Sequence, residues 1–325
     1  MRFAALRELG IAVFLIIIVI AVSIRNPVFF TLDNFHDISL DVAILAIVAV
    51  GEMLIMLTGG IDISIGSGIG LSGMVVALYI MNHPELHPLV SVLMGAVIGA
   101  GLGCINGLFV VKLRIPPIIT TLGTMSIFRG LTFIINYQIN NGQWVGADKY
   151  SDAFKTFTRD VWFIVPNLVL ITIIVYILGY FFLNHTVTGR KIYAIGSNAA
   201  GATFAGIKVD RIKFLPYLIC GVLVGIGGVL WVSRYTSAQT DSAQGFEFMA
   251  ITAVVIGGVK STGGSGSIIG VLIGAVIIGV INNALNIIHV SPFWKLAING
   301  AIILSAVIVD KLISNRVNKT LIARK

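Results

Sequence analysis

Apolar runs of about 20 residues follow one another along almost the whole chain, and that succession leaves it few ways to fold. They cover 9–24, 38–58, 65–81, 89–111, 118–137, 163–183, 214–233, 248–259, 268–288 and 293–311. Ten spans of about 20 residues use about 200 positions. With 325 residues in the chain, what is left suffices for connections and tails but not for a sizeable soluble domain. The expected fold is therefore all-α, a polytopic transmembrane helical bundle forming a single domain over 1–325. One segment does not fit: 248–259 would rise about 18 Å against a hydrocarbon core of about 30 Å. It is expected to be a half-helix or re-entrant segment lining a cavity.

Composition points the same way, with 57% hydrophobic and 11% charged residues where a soluble domain carries about 25% charged. The net charge of +8 lies in short clusters between apolar runs, so it reads as a topology signal and not as a nucleic-acid surface. An even number of crossings with an interior N-terminus puts both termini in the cytoplasm. Fifteen of the 22 basic residues then fall inside, among them Lys112, Arg114, Arg190, Lys191, Lys208, Arg211, Lys213 and Lys260. Six fall outside: Arg25, Lys149, Lys155, Arg159, Arg234 and Lys295. Arg129 lies within a span. The run at 11–24 after Arg2 and Arg7 can pass for a signal peptide, but the many spans behind it favour an uncleaved first crossing. Cys104 and Cys220 both sit in apolar runs and read as buried thiols.

Gly95, Gly99, Gly103 and Gly107 share one helical face, and small-xxx-small spacing recurs at Gly221 and Gly225 and at Gly266, Gly270 and Gly274. Such stripes let helix backbones approach closely, and they argue for a compact bundle and not for a site. Two turns expected on the cytoplasmic side look alike: Thr58-Gly59-Gly60-Ile61-Asp62-Ile63-Ser64-Ile65-Gly66-Ser67-Gly68 and Ile256-Gly257-Gly258-Val259-Lys260-Ser261-Thr262-Gly263-Gly264-Ser265-Gly266. Five positions match at constant offset. A weaker echo pairs Asn106 with Asn283. An inverted internal duplication with broken helices around a pathway would produce both echoes, and so would glycine-rich composition alone. On the first reading Gly59, Gly60, Asp62, Gly257, Gly258, Gly263 and Gly264 form gating turns.

The intramembrane polar residues are the candidate pathway. Glu52 sits inside the second run with no basic residue within helical reach; it either lines the route and accepts hydroxyl hydrogen bonds or is a structural group bonded to a neighbouring helix. Asn282, Asn283 and Asn286 offer amides to neighbouring helices, as interhelical glue or as route-lining groups together with Asn106. Asp62 reads as a cap for the helix beginning near Ser64. No Walker A loop is present, since Gly258-Val259-Lys260-Ser261-Thr262 lacks the required glycine before the lysine. Neither a catalytic triad nor a metal cluster is legible, and the five histidines lie at span ends or in loops. No catalytic residue and no cofactor bound by this chain are expected.

Two extramembrane segments can recruit partners. The outer loop 138–162 mixes Trp144, Tyr150, Phe154 and Phe157 with charges, suiting either a docking surface for a soluble protein or an aromatic belt on the membrane. The inner loop 184–213 contains a stretch in which Asn198 can cap a short helix over Ala199, Ala200, Ala202, Thr203 and Phe204, with Gly206 near its end and Ile207 beyond. Such a helix suits a groove in a partner; the alternative is a basic connector.

These residues together resemble the membrane permease subunits of bacterial carbohydrate-type ABC importers, the group containing the ribose, xylose, galactose, rhamnose and autoinducer-2 permeases. The resemblance covers nearly the whole chain. It rests on Thr58-Gly59-Gly60-Ile61-Asp62-Ile63-Ser64, on Gly189-Arg190 with Gly196-Ser197-Asn198-Ala199-Ala200 and Ala205-Gly206-Ile207, and on Ala253-Val254-Val255-Ile256-Gly257-Gly258 with Gly263-Gly264. It implies a bacterial inner-membrane protein that imports a monosaccharide or similar hydroxylated solute by alternating access. It further implies a second permease copy or homologous permease, an ABC ATPase subunit carrying ATP and Mg, and a periplasmic-type substrate-binding protein. The segment 189–207 would then couple to the ATPase. Glu52 departs from the family, which often has a small apolar or amide residue there. Autoinducer-2 or nucleoside import by the same machinery, and a proton-coupled secondary transporter, are the alternatives.

Overall fold

The computed structural model describes residues 16, 19, 20, 22–24, 26–162, 165–291, 294, 295, 297–302, 304, 305 and 308. The first long helix, α1 (Leu32–Leu57), is apolar on all sides from Val42 onward apart from Glu52, and a helix of that kind has to be surrounded by protein or lipid. Every position over 42–57 is buried. Thr31 caps it, its Oγ1 accepting from the Asn34 N–H at 3.3 Å. After it come α2 (Ile65–Asn82), α3 (Pro88–Gly107, continued by a π turn to Lys112) and α4 (Pro117–Asn140). The outer loop then holds a short α5 (Asp152–Thr156) and a two-residue ribbon of β1 (Val161–Trp162) with β2 (Val165–Pro166). The chain continues through α6 (Asn167–His185), α7 (Val187–Ser197), α8 (Ala199–Phe204), α9 (Val209–Tyr235), α10 (Phe246–Ile256) and α11 (Ile268–Ile287).

Helices α1, α2 and α9 form the centre. In the most apolar stretch of α1, 94% of the residues are buried, against 22% in α6, so α6 presents most of its surface to the bilayer. Ridges of side chains do not separate α3 from α9. A Cβ on Gly95 would lie 2.6 Å from the Gly225 carbonyl oxygen, and one on Gly99 would lie 2.6 Å from the Gly225 nitrogen. The two glycine stripes thus face each other backbone to backbone, as their spacing predicts. Gly270 and Gly274 of α11 fit likewise against Gly257 and Ala253.

Among the described residues seven helices are long and apolar enough to cross a membrane, and Phe246–Ile256 is a shorter apolar one. The described residues therefore show seven crossings and one half-helix where the sequence suggests ten spans. The expected spans 9–24 and 293–311, and with them both termini, lie largely outside those residues. The short segment begins at Phe246 and not at Phe248, and 11 residues rise only about 16 Å. The rest of its crossing is made by the loop 236–245, which folds back into the bundle and does not stay outside. Its carbonyls at Thr240 and Ser242 accept from Arg129, near the midpoint of α4.

Candidate solute pathway and coupling site

Both glycine turns are helix stops of one kind. At the end of α1 the Gly59 N–H donates to the Met56 carbonyl at 2.9 Å and the Gly60 N–H to Ile55 at 3.1 Å, with Gly59 at φ 83°. At the end of α10 the Gly258 N–H donates to Val255 at 3.0 Å and the Val259 N–H to Val254 at 3.2 Å, with Gly258 at φ 96°. These are Schellman motifs, in which a left-handed residue lets the last carbonyls find donors. Gly59 thus corresponds structurally to Gly258, one residue out of register with the sequence echo, which aligns it with Gly257.

The two turns touch. The Gly264 N–H donates to the Leu57 carbonyl at 3.0 Å, and Gly263 and Gly264 both hold positive φ, at 88° and 76°. Against them lies α7, started by Thr186, whose Oγ1 accepts from the Gly189 N–H at 3.0 Å. Tyr193 donates to the Gly266 carbonyl at 3.1 Å and the Ser197 hydroxyl to the Gly264 carbonyl at 3.3 Å. Gly196 packs on Leu57 and Gly264 so tightly that no side chain fits. Asn198 caps α8 as its position suggests, accepting from the Gly201 N–H at 2.9 Å. A third Schellman turn ends α8, with Gly206 at φ 76° and the Ile207 N–H on Ala202. Arg190, Ala199 and Ala200 are exposed, and Phe204 projects outward at 93% exposure. The structure therefore packs α7, through Tyr193, Gly196 and Ser197, against the glycine turns, while Arg190, Ala199 and Ala200 stay clear of them.

Above the first turn is a closed polar cluster. Both Glu52 carboxylate oxygens accept from the Asp62 N–H, at 3.3 and 3.2 Å. Asp62 Oδ1 accepts from the Ser64 N–H at 2.8 Å and its hydroxyl at 2.6 Å, so Asp62 organises the turn ahead of α2 and does not cap the helix's first turn directly. From α3, the Asn106 amide donates to Asp62 Oδ2 at 3.2 Å and to Ser64 Oγ at 2.8 Å. Thr121 donates to the Ile61 carbonyl at 3.3 Å. Glu52 is fully buried, and Asp62 and Asn106 nearly so. The cluster ties α1, the turn before α2, α3 and α4 together beside the first glycine turn.

The other three asparagines do not join it. Asn283 donates to Asn34 Oδ1 at 2.9 Å, Asn282 accepts from Asn299 at 3.4 Å and Asn286 accepts from Lys295. They tie α11 to the start of α1 and to the segment after α11, at the opposite end from Glu52. The outer loop 138–162 folds over the outer ends of α2 and α9. Tyr150 and Phe154 turn inward, Trp144 and Trp162 outward, and Val145 pairs with Ala238 of the re-entrant loop. Burial, helped by the Asp148 charge, pushes the Tyr150 phenol above its ordinary range. Its hydroxyl donates to the Val145 carbonyl at 3.0 Å.

A further polar group escaped the sequence reading. Arg129 Nη1 donates to the Thr240 and Ser242 carbonyls, both at 2.9 Å, and the carboxylates of Glu247 and Asp241 act on its charge. Glu247, in the first turn of α10, packs directly on Gly66. A lone arginine inside an apolar run was the available signal, but its partners lie more than a hundred residues away.

A family profile described as "Branched-chain amino acid transport system / permease component" matches residues 34–307. The chain belongs to this permease family. It is 39% identical over 298 residues to the ribose import permease protein of Escherichia coli K12, with 91% of each chain covered. It is 38% identical to the ribose import permease protein of Bacillus subtilis 168, over 94% of this chain and 93% of that one. The D-allose transport system permease protein of Escherichia coli K12 is 35% identical, over 93% and 91%. No solved structure matches the chain. With seven long apolar helices and this membership, the chain is a multi-pass membrane permease.

Proposed function

We propose that this chain is the inner-membrane translocation subunit of an ATP-driven importer for a monosaccharide or similar small hydroxylated solute. The names of its relatives, for ribose and allose, support the solute class. A separate ABC ATPase subunit carries ATP and Mg, a periplasmic-type binding protein delivers the solute, and a second permease copy or homologue completes the pathway. The observation that carries this reading is the unit in which Gly196 and Ser197 of the coupling segment sit on Leu57 and Gly264. A push on 189–207 from a partner clamped to the exposed Phe204 reaches both glycine turns, and through them the ends of α1 and α10. Nucleotide then biases a two-state bundle between outward and inward openings. Polar groups along the route offer weak, exchangeable hydrogen bonds that permit release.

The test is reconstitution of the chain with its co-purifying ATPase and binding protein in proteoliposomes, followed by uptake of labelled D-ribose with D-allose and L-arabinose as competitors. ATP-dependent uptake is expected. Uptake without ATP that follows an imposed proton gradient overturns the reading.

A further inference from the structure

We propose that Arg129 and Glu247 form a solute-binding station midway across the membrane, taking neighbouring hydroxyls of the solute between guanidinium and carboxylate. The inference rests on the importer reading above and names a contact site within it. Three observations carry it. First, Glu247 is only 5% exposed, and its Oε2 has no hydrogen-bond partner. A buried carboxylate oxygen left unpaired is costly, so a protein that holds one gains whenever a donor arrives. Second, the Arg129 guanidinium spends only Nη1 on protein, on the Thr240 and Ser242 carbonyls. Among the described residues no protein acceptor is recorded for its Nε or Nη2. Third, the two groups lie against one face of α2, Arg129 Nη1 beside Gly70 and Glu247 Oε2 beside Gly66, and no direct ion pair joins them, so their nearest charged atoms stand more than 4.0 Å apart. Such a gap suits a pair of hydroxyls, one accepting from the guanidinium and the other donating to the carboxylate.

Arg129 is half-buried. The loop 236–245 is irregular backbone at membrane depth, which is tolerated where protein buries it or where it lines a water-filled cavity. A direct Arg–Glu contact would have satisfied both charges and left nothing for a solute. Glycine at position 66 is required because the Glu247 carboxylate occupies the space of a side chain there.

The experiment uses the full transporter in proteoliposomes. Uptake of D-ribose, or of D-allose or L-arabinose if that is the one imported, is compared with uptake of its monodeoxy analogues, using preloaded binding protein. Wild type should disfavour one analogue about tenfold, the effect of a missing hydrogen bond to a charged group. Glu247→Gln and Arg129→Lys should carry parent and analogue at nearly equal rates. The same binding protein serves every variant, so a changed ratio belongs to the permease, and a merely structural role would lower both rates together. ATP-driven uptake in which both variants keep the wild-type ratio, or in which wild type shows no discrimination, overturns this inference alone. Absence of ATP-driven uptake of all three sugars overturns the importer reading and this inference with it.

Discussion

Replacing Gly99 by alanine tests whether close backbone contact between α3 and α9 holds the bundle. The new Cβ would overlap the Gly221 carbonyl oxygen outright and stand 2.6 Å from the Gly225 nitrogen, where ordinary contact begins near 3.4 Å. The helices must therefore separate by about 1 Å or more at that point, enough to forfeit about half of each dispersion contact along the seam. Overpacking of this kind costs about 1–3 kcal/mol, which is about a 5- to 150-fold fall in the folded-to-unfolded ratio. Gly101, two residues away on the same helix, has nothing within 4 Å of a Cβ. Alanine there should leave stability unchanged or raise it by about 0.5–1 kcal/mol through helix propensity. Unfolding in mixed dodecyl maltoside and SDS micelles, followed by intrinsic fluorescence, measures both. Equal midpoints for Gly99→Ala and wild type, or equal losses for both substitutions, would refute the argument.

Phe204→Asp should change the unfolding midpoint by less than about 0.5 kcal/mol, since exposed positions carry little stability, yet abolish co-purification of the ATPase; retained co-purification would remove α8 from coupling. Gly264→Ala, at φ 76° and 2.5 Å from Ser197 Oγ, should uncouple ATP hydrolysis from uptake, and normal coupling ratios would count against the turn's role. Glu52→Leu leaves the Asp62 N–H unpaired at a cost of about 1–3 kcal/mol, whereas Glu52→Gln keeps an acceptor and should lose well under half of that; identical melting of the two variants would show that Glu52 does not hold this turn.

Local rules made much of this molecule legible. The facing stripes at Gly95, Gly99 and Gly103 and at Gly221 and Gly225 follow from helix periodicity, and the Asn198 cap from side-chain chemistry within three residues. Both glycine turns stood out, although the matching letters misplace their register by one, because a Schellman stop is fixed by which residue turns left-handed and not by where two glycines align. Longer-range features were not readable. The polar stretch 236–245 reads as an outer loop because its polarity suits water equally well, and only Arg129, supplied by α4, shows that it is satisfied inside. Asn106 and Asn283 look equivalent in sequence, yet one braces Asp62 while the other pairs with Asn34 at the opposite end.

The broken crossing at 236–256 explains why those distant partners are needed. A continuous helix would satisfy its own backbone, as lipid demands; a half-helix with a folded-back loop must borrow donors from elsewhere. Arg129 supplies two, to Thr240 and Ser242, and the Val145–Ala238 bridge supplies one more, the Val145 N–H, with the Val145 carbonyl accepting in return. At its other end α10 runs into the turn that meets Gly264 and the coupling segment. One discontinuous crossing is thus tied to the loop 138–162, to mid-membrane Arg129 and to α7. A displacement at Ser197 can reach Ala238 through bonded neighbours alone, and α6 offers a second route, since Asn167 and Leu168 bond to the outer loop, Thr172 and Tyr176 bond to α1, and its end runs into α7.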